Sequence, residues 1–208
     1  MKQSPNHLTC FITGQNLVET VDELATSPVQ ETPLILRLMP QGEACTLSIT
    51  AKKQKDALYM LLNKKNILHL MSVTPADLHD SLKDIPLGFF QNIIPQILEM
   101  LEKKLHASLG FALKVKKALI GQKAIERKLL QNGDMVGGLV VTKNASTEIA
   151  QKLITLGSKN LQIIRDFPDE WLQKITLREK SCYLAFTNDK MNMNFYKEYH
   201  LYCALKNL

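Results

Sequence analysis

No stretch of the 208-residue chain offers the roughly 18 consecutive apolar residues that a membrane-crossing helix needs. Met1–His7 is polar and lacks the apolar core of a secretory signal. The four cysteines, Cys10, Cys45, Cys182 and Cys203, form no C-x-x-C pair. That removes the usual seed of a zinc site and fits free thiols in a reduced, cytoplasmic protein. Signatures of nucleotide and acyl chemistry are missing too: there is no P-loop, no dinucleotide-binding glycine pattern and no G-x-S-x-G turn. Gly137-Gly138 precedes an apolar strand instead of joining a strand to a helix, so it is no phosphate cradle of that kind. Aromatic residues make up only 6% of the chain, with one tryptophan. Phe89-Phe90 lies in an apolar stretch, Trp171 sits on an amphipathic helix, and Tyr183 and Phe186 fall within a strand pattern. All five read as packing residues, so no platform for stacking single-stranded bases is evident among them. No internal repeat and no low-complexity tract interrupts the sequence.

What remains is an ordinary globular composition, 45% hydrophobic and 22% charged, with a net charge of +6. The positive balance favours polyanionic partners. In the first half, Leu17, Val18, Val21, Leu24 and Ala25 have helical spacing and stop before Ser27-Pro28. Leu34–Met39 and Cys45–Thr50 read as two strands joined by Pro40-Gln41-Gly42. A helix is expected near Asp56–Leu62, and Thr74-Pro75 opens another, with Thr74 as its cap. The division falls near Lys83–Leu87, which separates a small α+β domain over 1–86 from a second domain over 87–208.

Beyond that boundary the pattern becomes regular. Phe89–Leu105 is apolar at helical spacing, with Pro95 bending the helix or marking its start. A helix over Ala107–Lys116, a strand at Ala118–Ile120 and a helix over Gln122–Gln131 follow. Next come a strand at Gly138–Thr142, a helix capped by Ser146 and ended at Gly157 with positive φ, and a strand at Leu161–Arg165. A helix starting at Pro168, a strand at Ser181–Phe186 and a helical tail from Met191 complete the chain. Strands alternating with short helices predict an α/β fold with a mixed sheet covered on both faces.

His69, Asp77, His79 and Asp80 are close in sequence and raise the question of a metal or acid–base site. His69 belongs to an apolar run, however, and residues two apart on a helix cannot share a face, so Asp77 and His79 do not converge. No catalytic residue, metal or cofactor is expected. The charge is more informative. Between Lys103 and Lys128 lie eight basic residues (Lys103, Lys104, Lys114, Lys116, Lys117, Lys123, Arg127, Lys128) against one acidic residue, Glu126. The whole positive excess of the chain sits in that one helix-strand-helix segment, which is the electrostatic footprint of phosphate binding. A solvated face that merely aids solubility is the bland alternative.

The segment "LGFALKVKKALIGQKAIERKLLQNGDMVGGLVVTKNAS" (Leu109–Ser146) resembles the opening of the kink-turn-binding ribosomal-protein superfamily. The likeness rests on Leu109-Gly110, the Gly121 turn, the helix ending at Gly133, and the apolar strand before Asn144-Ala145-Ser146. It continues through "QIIRDF" and "CYLAFTND". The resemblance implies a three-layer α/β/α sandwich that grips structured RNA, ribosomal RNA included, at one end and carries out no catalysis. Gly121 would be the turn glycine, Lys123 and Arg127 would meet phosphates, and Gln122 and Asn144 would hydrogen-bond bases or sugars. Lys117 and Lys128 complete the expected RNA-binding set, and Thr176–Lys180 would pack on a protruding base. Lys123 stands where the family usually has asparagine, Ala124 where it has glutamate, and Asn144 where it has aspartate. Those departures point to recognition of RNA shape through the backbone, and they motivate a competing expectation, a protein-interaction or assembly module on the same fold. A fainter likeness, in "LTCFITGQNL" (Leu8–Leu17), is to the start of YlxR-type bacterial RNA-binding proteins, which in some bacteria precede a ribosomal-protein-like domain. Leu8 stands where that family has arginine, and no functional residue is carried over from it.

Overall fold

A computed structural model describes residues 10–11, 34–41, 43–49, 57–74, 78, 80–177, 180–187 and 189–208. The helix expected over Leu17–Ala25 lies outside these residues, as do Pro75, Asp77 and His79. The chain divides into two units, Met1–Glu102 with His200–Leu208, and Lys103–Tyr199.

In the first unit, β1 (Ile35–Gln41), β2 (Ala44–Ile49) and β3 (Leu58–Leu61) form an antiparallel sheet in the order β2-β1-β3. The expected hairpin is present, with Leu36 opposite Ile49 and Gln41 opposite Ala44. Pro40 falls beyond the part of β1 that β3 covers, so its missing N–H breaks no ladder bond. The helix expected at Asp56–Leu62 is instead strand β3, which pairs Leu58 with Leu38 and Leu61 with Ile35. Its Tyr59 and Met60 are buried. The helical signal belongs just downstream, where the Asn63 side chain accepts a hydrogen bond from Asn66 N–H at 2.8 Å and caps α1 (Lys64–Met71).

The run that reads as one helix from Phe89 and another from Ala107 is divided elsewhere. α2 (Leu87–Gln91) stops at Asn92, and α3 (Ile93–Lys114) then continues unbroken through Leu105 and Ala107. Pro95 sits in the first turn of α3, where a missing N–H costs no intrahelical bond. Buried Leu105, Leu109 and Ala112 mark the inner face of the part of α3 in the second unit.

The second unit is built on a four-stranded sheet in the order β4-β7-β5-β6: β4 (Ala118–Ile120), β5 (Gly138–Thr142), β6 (Gln162–Phe167) and β7 (Tyr183–Phe186). β5 and β6 pair in parallel, and β7 runs against its neighbours β4 and β5, so β4, β5 and β6 all point the same way. On one face, α4 (Gln122–Asn132) and α5 (Thr147–Leu156) bring Ile125, Leu129, Ala150 and Leu153 onto Leu139, Val141, Tyr183 and Ala185. The alternate residues point to the other face. There Phe186 meets Phe195 of α7 (Asp189–Lys206) at 5.2 Å between ring centres. Phe167 meets Trp171 of α6 (Asp169–Thr176) at 5.6 Å, and Trp171 meets His106 of α3 at 4.8 Å. Helices on both faces make this unit the expected three-layer α/β/α sandwich with a mixed sheet. The Ser146 cap and the helix start after Pro168 also fall where expected. Gly157 does not: its φ is −76°, and its smallness serves the close approach of the Leu161 side chain, not a left-handed turn.

Candidate nucleic-acid interface

The junction of β4 and α4 turns on Gly121. Its φ of 91° and ψ of 143° place it in a region that residues with a Cβ adopt only under strain. The turn is held from both sides: Gly121 N–H donates to the Tyr183 carbonyl at 3.0 Å, and Ile125 N–H donates to the Gly121 carbonyl at 3.2 Å. The first turn of α4 has no acidic residue and no side-chain cap, which leaves its N–H groups and positive dipole end for an anion. No heavy atom lies within 4 Å of a Cβ built on Gly121, so the demand for glycine is conformational and not steric. Gly121→Ala is therefore expected to cost about 1–3 kcal/mol through backbone strain alone. Urea unfolding measures this; an unchanged midpoint would mean that the turn relaxes freely.

A second loop comes to the same end of the sheet. Tyr183 lies opposite Val141, and Thr142 N–H donates to the Cys182 carbonyl at 3.0 Å. The Tyr183 hydroxyl donates to the Ser146 carbonyl at 3.0 Å. Tyr183 thus holds the Gly121 turn through its backbone and the Asn144 loop through its side chain. Burial, together with the neighbouring Cys182, raises the pKa of this phenol, which keeps it a hydrogen-bond donor. Because β7 is the single strand between β4 and β5, the two loops are about 10 Å apart.

Lys123 and Arg127 are both exposed and four residues apart, hence on one face of α4. Gln122 and Lys128 are half-buried, and Asn144 and its neighbour Lys143 are exposed. Glu126, the only acidic residue of α4, pairs with Lys152 of α5 at 2.5 Å. The opposite border of this end is acidic. Arg165 and Asp166 together lie opposite Val141 in a bulge of β6, with Asp166 at φ 55°, and Asp169 and Glu170 open α6.

The structure brings Gly121, Gln122, Lys123 and Asn144 together at one end, with Arg127 and Lys128 one turn along α4. Lys117 is not among them. It precedes β4, its carbonyl accepts from Thr187 N–H at 2.9 Å, and it therefore lies at the opposite end of the sheet. Residues 178 and 179 of the expected base-packing loop lie outside the described residues. Of that Thr176–Lys180 loop, Thr176 is the last residue of α6, and Leu177 is 90% exposed and left-handed at φ 54°. Sequence reasoning did not single out Tyr183 or Lys143 for this end. The Tyr183 link spans 37 residues and leaves no local signal.

Of the residues considered for catalysis, Asp77 and His79 lie outside the described residues. His69 is exposed on α1. Burial pushes the Cys45 thiol up to about 11, so it is no ready nucleophile. Among the described residues, no three His, Cys, Asp or Glu side chains cluster to hold a metal, and no helix is long and apolar enough to cross a membrane.

No protein-family model matches the chain, and no curated protein matches it. Among solved structures, it is similar to a protein with unknown function from Bacillus halodurans C. The two share 17% identity over 46% of this chain and 95% of that one, with a TM-score of 0.41.

Proposed function

We propose that the second unit is a non-catalytic RNA-binding module that recognises folded RNA, kink-turn-like or ribosomal, through the Gly121 end of its sheet. The observation that carries this reading is the pairing of two loops by Tyr183, which sets an uncapped, acid-free helix start beside an exposed Asn144. Phosphates meet the first-turn N–H groups, Lys123 and Arg127; Gln122 and Asn144 supply hydrogen bonds to bases or sugars. The acidic border at β6 and α6 repels phosphates and limits the RNA to the β4–β5 side. Leu177 offers an apolar contact to an unstacked base. All four cysteines are free, which fits a reducing cytoplasm.

The test is titration of the full chain into a labelled kink-turn RNA and a straight duplex of matched length at several salt concentrations. Tighter binding to the kink-turn that survives added salt is the expected result. The Lys123→Ala/Arg127→Ala variant should bind roughly tenfold more weakly, with a salt slope lower by about two, and should unfold at the same urea concentration. Unchanged affinity in that variant would remove this surface from the reading. Leu130 and Met135, 66% and 55% exposed, favour a second reading, a protein-interaction module. No RNA binding at low salt would select it.

A further inference from the structure

We propose that the opposite end of the same sheet is a second nucleic-acid surface, which holds a single-stranded segment by stacking a base on Phe111 while Lys114, Lys116 and Lys117 contact its phosphates. The basic run of the sequence is cut in two by β4. Lys123, Arg127 and Lys128 follow the strand, whereas Lys114, Lys116 and Lys117 precede it, at the end marked by Thr187.

Phe111 is 58% exposed, although the same helix buries Leu105, Leu109 and Ala112. Val115, one turn later, is 39% exposed and extends the apolar contact. The chain then reverses tightly: Lys117 N–H donates to the Ala112 carbonyl at 2.8 Å, and Lys116 N–H to the Leu113 carbonyl at 3.1 Å. Lys116 takes the left-handed position of that motif at φ 57°, a place glycine normally fills. The reversal sets exposed Lys116 and Lys117 against the turn that carries Phe111, with exposed Lys114 beside them. From Ala107 to Ile120 there is no Asp or Glu.

Cations at a helix C-terminus complement its dipole, which accounts for the lysines but not for an exposed aromatic ring among them. A ring flanked by ammonium groups suits a chain that alternates bases and phosphates. One Phe and one Val are too little apolar surface to hold a bilayer. A cavity of about 400 Å³ opens at this same end, at the starts of β5 and β6. Its Asp134, Asn160 and Gln162 offer donors and acceptors to a base edge. It lies two to three strand spacings, roughly 10–15 Å, from Lys117, within reach of a nucleotide further along the same single strand.

The experiment is fluorescence anisotropy of the full chain with a labelled twelve-uridine single strand, alongside co-sedimentation with phosphatidylserine-containing vesicles. Phe111→Ala should weaken single-strand binding roughly tenfold, Phe111→Trp should retain it, and Lys116→Ala/Lys117→Ala should weaken it and lower its salt slope. Trp171 is buried, so quenching of Phe111→Trp fluorescence on oligonucleotide addition reports stacking directly. Equal affinity of wild type and Phe111→Ala, no quenching, or Phe111-dependent vesicle binding without single-strand binding would each overturn the proposal. Because the ring is exposed, Phe111→Ala leaves the fold intact. Quenching of Phe111→Trp fluorescence should persist when Lys123→Ala/Arg127→Ala is added, so this surface and the Gly121 end stand or fall separately.

Discussion

Gly138→Ala is expected to cost about 3–5 kcal/mol, because the space a methyl group needs is already filled by the Asn192 side chain. Asn192 is 3% exposed. Its amide donates to the Gly137 carbonyl at 3.0 Å and to the Gln162 side-chain oxygen at 2.7 Å, clasping the starts of the parallel strands β5 and β6. An added Cβ must displace that amide, break both bonds and leave the buried Asn192 side chain without them, while the Gly137 carbonyl keeps the Gln162 N–H at 3.1 Å. Asn192→Ala alone loses the two bonds without the clash and should cost about 1–3 kcal/mol. In the double variant there is no amide left to displace, so its loss should fall well short of the sum. Urea unfolding of the four proteins measures the cycle. Additive losses would mean that Gly138 and Asn192 do not compete for one space.

Lys104→Met is the second large effect expected, about 2–3 kcal/mol. Lys104 Nζ lies 2.7 Å from Glu198 Oε1, joining α3 to α7 within the second unit. The Glu198 side chain is 6% exposed, and its other oxygen, Oε2, is buried with no hydrogen-bond partner. Removing the lysine strands a carboxylate in a poorly solvated place, a loss of about 3–5 kcal/mol for fully buried pairs. Lys104 is itself 38% exposed, so water offsets part of it. Lys104→Met/Glu198→Met should recover most of the loss, since two apolar side chains leave no charge to desolvate. Thermal or urea unfolding of the single and double variants decides the matter; a double variant no more stable than Lys104→Met would show that packing, not charge, sets the cost.

Local signals carried the second unit far. Gly121, the Ser146 cap and Pro168 each act on residues within one helical turn, so their conformational demands can be read one after another along the chain. The bounds of β4 and β5 follow from the same punctuation. The first unit was less legible because β3 owes its conformation to β1, some twenty residues earlier in the chain. Leu58–Leu61 has no alternation strong enough to announce a strand, and the capping signal of α1 next to it reads as the same element.

The basic run divides the two kinds of information most sharply. Eight cations between Lys103 and Lys128 are visible as a cluster of charge, and composition alone makes an anionic partner the natural expectation. That Lys123 and Lys117 lie at opposite ends of a sheet follows only from the pairing of β4 with β7, more than sixty residues apart. The Asn144 loop joins the Gly121 turn because Tyr183 reaches both, and the exposure of Phe111 on a helix that buries Leu109 and Ala112 is likewise visible only in the fold. In the second unit the turn glycine, the Ser146 cap, the helix start after Pro168 and the sign of the charge are legible along the chain, since backbone sterics and Coulomb attraction act on chain neighbours. Which charges share a surface was decided by the tertiary structure, because strand pairing joins residues that sequence separation keeps apart.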